Sequence, residues 1–437
     1  MSQVSQVREI GVGLLGLGNV GSGVVQLLAD NAAAIEERLG ARVVVRRIAV
    51  REAKKRRKVV VDRRLLTTDA RAVIDDPDVA IVVELVGGEA AAKQYVLHAI
   101  ERGRHVVTAN KALLATHGPE LFAAAAKRGV ELYLEAAVCG GVPVLRALRE
   151  GLASDKIEAL HGIVNGTSNF ILSTMTAEGR PFDEVLAAAQ REGYAEADPA
   201  LDVDGGDAAH KLVVLAMLAF GARVRLADVY VEGIRQITPV DHAYAERFGM
   251  VVKPLVIARD HGTEGLELRV HPTMIPKRWL LASVAGVNNA VYVTSRALGH
   301  SMYYGRGAGM MPTAVAVVSD VLELARNVLG RSPGMAATSV PRLTRRAVRD
   351  IGLLRSRYYL RFAVLDRPGV LAQLAGVLGK HEVSIAHVTQ EGKEPERAVT
   401  VVILTHEARE RNVRLALAQI AKLASVVEAP RLVRLCE

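Results

Sequence analysis

Short apolar runs alternate with amphipathic stretches over the first third of the chain. The apolar runs are residues 9–15, 42–50, 80–85, 105–108 and 130–134. Strands that are buried on both faces are continuously apolar, and the amphipathic stretches between them are suited to crossover helices. The pattern predicts an α/β domain with a doubly wound parallel sheet over residues 1–138.

The pattern changes after residue 138. Helical patterns at 182–191 and 208–219 are joined to an alternating run at 229–237, which predicts an α+β domain over residues 139–330. A helix near residues 305–330 is expected to return to the first domain and complete it. The apolar run at 212–222 is well short of the roughly 20 residues that cross a bilayer, so it predicts a buried helix.

The last part of the chain has its own order of elements. Glycine, proline and arginine over residues 331–355 predict a linker. Strand, helix, strand, strand, helix and strand are then predicted at residues 358–364, 368–379, 384–389, 398–405, 409–423 and 431–435. This order predicts a ferredoxin-like domain over residues 356–437.

Length, composition and charge narrow the class of protein. The chain has 437 residues, more than one core of roughly 250–300 residues supports, and half of its residues are hydrophobic, so about three folded domains are expected. Two cysteines, Cys139 and Cys436, are too few for a disulfide framework, and Cys436 is expected to be a surface thiol. The chain begins with no signal-peptide pattern, which favours the cytoplasm. The net charge of +9 is spread along the chain, which favours anionic small molecules over nucleic acid.

A glycine-rich turn follows the first predicted strand and precedes a helical run. Its sequence is Gly16-Leu17-Gly18-Asn19-Val20-Gly21. In a dinucleotide-binding turn the first glycine permits the tight bend, the second allows the backbone to approach the pyrophosphate, and the third lets helix and strand pack closely. A flexible loop is the alternative for any glycine triplet, but the strand before it and the helix after it favour a Rossmann cofactor site.

The end of the second predicted strand carries a basic residue. NAD-dependent enzymes usually place an acidic residue here to bind the ribose, whereas this chain has Arg51, followed by a basic run at residues 54–58. Arg51 therefore favours the 2′-phosphate of NADP. The run is also consistent with a solvated loop.

Two lysines are candidates for the chemistry. Lys111 follows the predicted strand at 105–108, at the edge of the sheet where ligands bind. Asp207 and Lys211 are four residues apart on one predicted helix, so the carboxylate lies one turn before the ammonium and can orient it. A surface salt bridge is the alternative, but the apolar residues 212–219 favour a buried helix with Lys211 facing a cleft.

A lysine in this position suits carbonyl and alcohol interconversion. Burial lowers a lysine pKa toward a range in which the group can exchange a proton with an oxygen. Glu196 and Asp207 could hold a substrate ammonium, and Lys111 could hold a substrate carboxylate. The three groups together favour an amino-acid substrate.

The segment at residues 189–211 resembles the signature of homoserine dehydrogenases at every fixed position, with the pattern AxxxGYAEADPxxDVxGxDxxxK. Four further motifs are similar to the same family: ELVGG from Glu84, TANKALL around Lys111, EAAV from Glu135 and NGTSN from Asn165. The resemblance covers about the first 330 residues. It implies reversible NAD(P)H-dependent reduction of L-aspartate 4-semialdehyde to L-homoserine, a step in threonine, methionine and isoleucine biosynthesis.

The resemblance also implies roles for single residues. Lys211 would be the proton donor, and Lys111 would assist it and contact the nicotinamide. The substrate would be bound by Gly193, Glu196, Asp202 and Asp207. Gly87 and Gly309 would line the cofactor site; Arg306, near Gly309, stands where the family usually has proline, either as a phosphate contact or as an exposed charge. NADP and NAD both stay open as the productive cofactor.

A monovalent cation, commonly sodium, is implied by the resemblance alone. Its ligands would lie in the loop that contains Glu135, Val138, Gly140 and Val142, largely as backbone oxygens. Composition by itself favours a simpler interpretation, in which a strand ends in a glycine turn.

The turn Asp366-Arg367-Pro368-Gly369 resembles the ligand-binding turn of ACT domains. Pairs of ACT domains commonly bind an amino acid where they join, so Asp366, Pro368 and Gly369 imply feedback regulation, with threonine as the candidate effector, in a homodimer or homotetramer. A domain that serves only to dimerise the protein is the alternative.

Two other functions are weighed against this one. Aspartate-semialdehyde dehydrogenase also begins with a Rossmann domain, but it needs a catalytic cysteine, and Cys139 has no evident activating partner. A non-catalytic regulator that binds nucleic acid would use the net positive charge. Intact Lys111 and Lys211 favour an enzyme.

Overall fold

The computed structural model describes residues 8–330, 343–391 and 398–436. These residues form two compact units. The first holds the described residues of Met1–Gly166, Asp207–Val229 and Val287–Arg346, and the second holds those of Thr167–Gly206, Tyr230–Gly286 and Ala347–Glu437.

The elements are numbered in chain order. The strands are β1 (Arg8–Leu15), β2 (Ala41–Ala49), β3 (Leu66–Thr67), β4 (Ile81–Glu84), β5 (His105–Thr108), β6 (Leu132–Tyr133), β7 (Ile157–Ile163), β8 (Ala222–Arg223), β9 (Tyr230–Val231), β10 (Met250–Asp260), β11 (Leu266–Pro276), β12 (Asn288–Ser295), β13 (Gly299–Arg306), β14 (Thr344–Arg345), β15 (Arg355–Leu365), β16 (Ile385–Glu391), β17 (Ala398–Thr405), β18 (Ala408–Arg409) and β19 (Arg431–Leu435). The helices are α1 (Asn19–Asp30), α2 (Ala32–Leu39), α3 (Ala70–Ile74), α4 (Ala90–Glu101), α5 (Lys111–Arg128), α6 (Val144–Arg146), α7 (Gly166–Glu178), α8 (Phe182–Arg191), α9 (Ala200–Val203), α10 (Gly206–Phe220), α11 (Pro239–Arg247), α12 (Met310–Gly330), α13 (Val370–Lys380) and α14 (Glu410–Ile420).

A six-stranded sheet with the order β3-β2-β1-β4-β5-β6 forms the base of the first unit. Each neighbouring pair of its strands is parallel. The strand order reverses direction between β1 and β4, and ligands of open α/β sheets bind beyond the carboxyl ends of the strands at such a point. The predicted doubly wound parallel sheet is confirmed.

Helix α12 packs against α1, although about 280 residues of chain separate them. Gly23 of α1 allows this approach, because a Cβ at that position would lie 2.8 Å from the backbone oxygen of Met310. Val317, Val321 and Leu324 of α12 belong to the same buried cluster as Val12 of β1. The end of α12 that follows Gly309 is thereby fixed near the turn between β1 and α1.

The first unit also holds an antiparallel sheet and the predicted buried helix. Strand β12 pairs with β7 on one side and with β13 on the other. In α10, every residue from Leu212 to Leu218 is buried. Among the described residues, the structure has no helix with the length and apolarity that a membrane crossing needs.

One sheet runs through the described parts of the second unit. The hairpin of β10 and β11 continues into β19, which lies parallel to β11, and then into β15, β17 and β16. The last four strands have the antiparallel order of a βαββαβ domain, which confirms the ferredoxin-like prediction. Tyr359 and Val433 of this domain share a hydrophobic cluster with Ile171, Val185 and Met274.

Two expectations from the sequence, on residues 229–237 and on Cys436, are corrected. The alternating run at 229–237 forms only the two-residue strand β9. After β9 the chain turns and packs closely against residues 203–204. A Cβ at Gly233 would lie 2.6 Å from the backbone oxygen of Val203. The linker predicted at residues 331–355 stays a prediction: β14 within it pairs with β8, and residues 331–342 lie outside the described part. Cys436 is buried: it directly follows β19, and its backbone N–H donates to the backbone oxygen of Met274 at 3.0 Å.

Candidate active site

The glycine turn between β1 and α1 has the geometry of a phosphate-binding turn. Gly16 has a φ of +102°, and a Cβ there would lie 2.6 Å from the backbone oxygen of Leu85. A Cβ at Gly21 would lie 2.3 Å from the oxygen of Gly16, so only glycine lets the helix pack so closely. Gly18 precedes α1 and faces open space, while Asn19 and Val20 begin the helix, whose free amides favour an anion.

A cleft of about 640 Å³ surrounds this turn. We call it the glycine-turn cleft; it is lined by helix α4 and by the segments that follow β1, β2 and β4, with Gly16, Gly18, Asn19, Arg51, Lys55, Gly87 and Tyr95 among its residues. Arg51 is exposed and lies two residues after the end of β2. Gly87 has a φ of +71° in the loop after β4. Glu52 also lines the cleft, and its backbone oxygen accepts a hydrogen bond from Arg57.

A buried carboxylate joins the loops after β4 and β5, and the sequence reasoning did not assign it. Glu84 accepts hydrogen bonds from the hydroxyl of Thr108 at 2.6 Å and from the backbone N–H of Val86 at 2.9 Å. Asn110 donates to the backbone oxygen of Gly88 at 2.6 Å. Burial raises the pKa of Glu84, and these hydrogen bonds oppose that rise. An acidic residue at the end of a continuously apolar strand was the signal for this role.

Two lysines share one buried carboxylate. The ammonium of Lys111, at the first position of α5, lies 2.9 Å from Oδ1 of Asp207, and that of Lys211 lies 2.7 Å from Oδ2. Asn165 donates to Oδ2 at 2.8 Å. The side chain of Asp207 is 5% exposed, those of Lys211 and Lys111 11% and 36%. The predicted pair of Asp207 and Lys211 is present, and Lys111 joins it.

The two ammonium groups stabilise the ionised form of Asp207. Burial alone would raise the pKa of Asp207, but the ammonium groups of Lys211 and Lys111 outweigh burial and hold the pKa well below its usual range. Lys211 also donates to the backbone oxygen of Val164 at 2.6 Å, and Asn289 donates to the same oxygen at 2.9 Å. Lys211 is thus fixed by acceptors on two sides.

The remaining residues of the signature segment lie in the second unit. Gly193 ends the turn after α8 with a φ of +76°. Glu196 is exposed, and its backbone oxygen accepts from Gln190 at 3.1 Å. Asp202 lies on α9, where its backbone oxygen accepts from the hydroxyl of Ser168 at 2.9 Å.

Glu135 lies in a buried acidic pair. Its carboxylate accepts from the backbone N–H groups of Leu145 at 3.0 Å and Arg146 at 2.7 Å, and its own N–H donates to Asp320 at 2.9 Å. Burial raises the pKa of Glu135 to about 7 and that of Asp320 to about 6, and the proximity of Asp320 adds to the shift of Glu135. The guanidinium of Arg146 lies 3.2 Å from Asp320 and offsets part of this charge.

The loop after Glu135 packs against the loop before α12. Val138 and Val142 are buried. Gly140 has a φ of +41°, and a Cβ there would lie 2.6 Å from the backbone oxygen of Gly307. Gly309 has a φ of +125° and directly precedes α12. Gly141 donates to the backbone oxygen of Arg306, whose side chain is exposed.

Cys139 is not an activated nucleophile. It is fully buried, and burial raises the pKa of its thiol to about 11 even though Lys211 and Asn289 act in the opposite direction. A catalytic cysteine instead needs a lowered pKa and access to substrate. The cysteine-dependent aspartate-semialdehyde dehydrogenase mechanism is therefore excluded for this residue.

The predicted regulatory turn joins β15 to α13. Gly369 has a φ of +88° and precedes α13, with Pro368 before it. Asp366 accepts a hydrogen bond from Gln390 at 3.2 Å.

The parallel sheet, the glycine turn at its switch point and the two lysines on one buried carboxylate define a class of protein. The chain is an NAD(P)-dependent oxidoreductase.

Comparison with known proteins gives the family. The family model for homoserine dehydrogenase matches residues 143–322, that for the homoserine dehydrogenase NAD-binding domain matches 16–135, and that for the ACT domain matches 358–425. The homoserine dehydrogenase of a Synechocystis species is 46% identical over 429 residues, which cover 97% of this chain and 98% of that protein. The enzyme of Neisseria gonorrhoeae is 42% identical over 433 residues, or 98% and 99% of the two chains. The chain therefore belongs to the homoserine dehydrogenase family.

Solved structures agree with this placement. A homoserine dehydrogenase from Thiobacillus denitrificans has a TM-score of 0.90 at 44% identity, and the match covers 99% of both chains. A homoserine dehydrogenase from S. aureus has a TM-score of 0.78 at 30% identity, over 99% of this chain and all of that one.

Proposed function

We propose that Lys211 is the proton donor in the reversible reduction of L-aspartate 4-semialdehyde to L-homoserine. The observation that carries this proposal is the position of its ammonium group, which is 11% exposed and held between Asp207 and the backbone oxygen of Val164. The direct test is to follow NADPH oxidation with L-aspartate 4-semialdehyde and NADP⁺ reduction with L-homoserine. No turnover in either direction would contradict the proposal.

The nicotinamide, when bound, supplies the hydride that adds to the aldehyde carbon. Negative charge then develops on the carbonyl oxygen, and Lys211 donates a proton to that oxygen to give the alcohol. Asp207 keeps the ammonium oriented throughout. In the reverse direction Lys211 takes the proton from the hydroxyl.

Substrate binding is divided between the other charged groups. The carboxylate of Asp207 already contacts Lys111, Lys211 and Asn165, so its role is to position the two lysines. We assign the substrate carboxylate to Lys111, whose side chain is more than a third exposed. The assignment of the substrate ammonium to Glu196 and Asp202 rests on the signature segment that carries both residues. Gly193 shapes the segment that carries Glu196.

The glycine-turn cleft fits NADP. Gly18 and the first amides of α1 are placed for the pyrophosphate, and Gly87 and Gly309 permit close approach of backbone to cofactor. Arg51 and Lys55 supply positive charge at the end of the cleft beside β2, where the 2′-phosphate would lie.

Replacing Arg51 with alanine should raise the KM for NADPH roughly 10- to 100-fold and leave the KM for NADH within about twofold, because the lost contact is a charged hydrogen bond to a phosphate that NADH lacks. Initial rates with each cofactor measure this. The matched control is Arg63→Ala, an exposed arginine that does not line the cleft. Equal effects on both cofactors would contradict the assignment.

The acidic pair of Glu135 and Asp320 supports a monovalent cation near the loop of residues 135–142. Burial raises the pKa values of both carboxyls, so their ionised forms are disfavoured, and a cation bound nearby would offset that cost together with Arg146, which contacts Asp320 at 3.2 Å. Within the described residues no group of three or more histidine, cysteine or acidic side chains is arranged around a metal. Backbone oxygens of Val138, Gly140 and Val142 would complete the shell, a donor set that suits sodium better than a transition metal.

The ACT domain supports regulation by an amino acid, with threonine as the candidate effector and the turn at Asp366, Pro368 and Gly369 as its site. We further propose that pairing of ACT domains contributes to a homodimer or homotetramer. Deleting the domain would be a poor test, because Tyr359 and Val433 share a core with Ile171 and Met274.

A point substitution tests regulation more cleanly. Asp366→Ala should raise the threonine concentration for half-inhibition by roughly tenfold or more, because the effector ammonium loses a charged partner. The uninhibited kcat should not change. Glu428→Ala, which removes an exposed negative charge from the same domain, is the control. Inhibition with the same threonine dependence in both variants would refute the site.

A further inference from the structure

A second cleft, in the second unit, is not explained by the reaction or by the ACT turn. It has a volume of about 410 Å³ and lies beside the start of β19, helix α14 and the segment at residues 232–241. This volume falls within the range of small-molecule sites, roughly 300–1,000 Å³. We call it the β19 cleft.

Arg431 is a charged residue of the β19 cleft whose guanidinium N–H donors are not all hydrogen-bonded. Its Nη1 donates to the side-chain oxygen of Gln236 at 3.0 Å. Its Nε is buried and has no hydrogen-bond partner, and within the described residues no carboxylate is paired with it. A guanidinium has five N–H donors in a planar fork that matches a carboxylate.

The two carboxylates of the β19 cleft are already engaged elsewhere. Glu232 accepts from Arg434 at 2.7 Å and from Arg414 at 3.0 Å. Asp241 accepts from Arg361 at 2.7 Å and from the hydroxyl of Tyr359 at 2.9 Å. Neither is therefore positioned to neutralise Arg431, and the charge that the cleft still needs is negative.

Apart from Gln236, the uncharged side chains that line the cleft are apolar. Ile237, Leu417 and Leu432 line the cleft together with the charged groups. A ligand that matches both the arginine and the apolar side chains has a carboxylate that pairs with Arg431 and a small branched hydrocarbon group that packs against the apolar side chains.

We propose that the β19 cleft binds a small aliphatic carboxylate, with its carboxylate on Arg431. The site is separate from the effector turn proposed at Asp366, and the two proposals can fail independently. The wall of the β19 cleft continues into the signature segment at residues 189–211. The backbone N–H of Ile234 donates to the backbone oxygen of Val203 at 2.8 Å, and Gly233 packs against the same residue.

Three probes test the chemistry on the full-length enzyme. Isovalerate has an isobutyl group and a carboxylate, isobutylamine has the same isobutyl group and the opposite charge, and acetate has the carboxylate alone. Saturation-transfer NMR in the presence of saturating L-homoserine, which fills the active site, should show isovalerate bound more tightly than acetate and isobutylamine not bound. No binding of isovalerate, or equal binding of acetate, overturns the proposal.

Matched variants locate the site. Arg431→Gln should weaken isovalerate binding by about tenfold or more, and Arg431→Lys should weaken it less. The control is Arg278→Gln, at an exposed arginine outside the cleft, which should leave binding unchanged. Thermal unfolding and kcat verify that each variant is folded. Asp366→Ala, which alters the proposed effector turn, should bind isovalerate as the parent does. Unchanged binding in folded Arg431→Gln and Arg431→Lys, or loss of binding in Asp366→Ala, refutes the assignment to Arg431.

Discussion

Replacing Lys211 with alanine should lower kcat for reduction of L-aspartate 4-semialdehyde by roughly 10²- to 10⁴-fold, the usual contribution of a positioned proton donor. The KM for NADPH should stay within about twofold, because the glycine turn and Arg51 remain. The fold should persist, since Asp207 keeps Lys111 at 2.9 Å and Asn165 at 2.8 Å as partners. Steady-state rates in both directions provide the measurement.

The control for this experiment is Lys127→Ala. Lys127 is exposed on α5, the helix that begins with Lys111, so its loss removes one positive charge without touching the site. The control should retain full activity. A Lys211→Ala enzyme as fast as this control would end the assignment of Lys211 as proton donor.

Replacing Asp207 with asparagine should reduce both activity and stability. The amide keeps the size of the side chain but leaves two ammonium groups without their shared carboxylate, and misplacing Lys211 should lower kcat roughly 10²-fold. The free energy of unfolding should fall by about 2–3 kcal/mol. This is less than the roughly 3–5 kcal/mol expected for breaking a fully buried pair, because Lys111 is 36% exposed and water screens it.

The same variant makes a prediction about pH. The pKa of Asp207 is lowered in the folded protein, chiefly by Lys211 and Lys111 against the effect of burial. Its stabilising contribution is therefore fully present above the unfolded pKa of roughly 3.9 and is lost as pH falls toward the folded value. Urea unfolding should show a constant difference between parent and Asp207→Asn from about pH 5 to 8 and a shrinking one below about pH 4.

The exposed Asp30→Asn variant is the control for both measurements. It should leave kcat and the free energy of unfolding nearly unchanged across this pH range. A stability difference for Asp207→Asn that grows as the pH falls would show that the carboxylate is not held in its ionised form by the lysines.

Local features of the fold and the site could be predicted from the sequence because their physical causes are local. Apolar runs indicated the strands of the parallel sheet, and the glycine turn was evident from its spacing between strand and helix. Asp207 and Lys211 were expected to meet because four residues make about one helical turn, and their charged groups lie 2.7 Å apart. The family motif added residue roles that periodicity alone could not supply.

Only the tertiary structure decided which distant groups meet. Lys111 joins Asp207, Glu84 joins Thr108, and Glu135 lies against Asp320. None of these contacts leaves a periodic signal, because each depends on how separate strands and helices pack. For the same reason the alternating run at 229–237 forms a strand over only two residues: Gly233 packs closely against Val203, and the chain turns away from the sheet after β9.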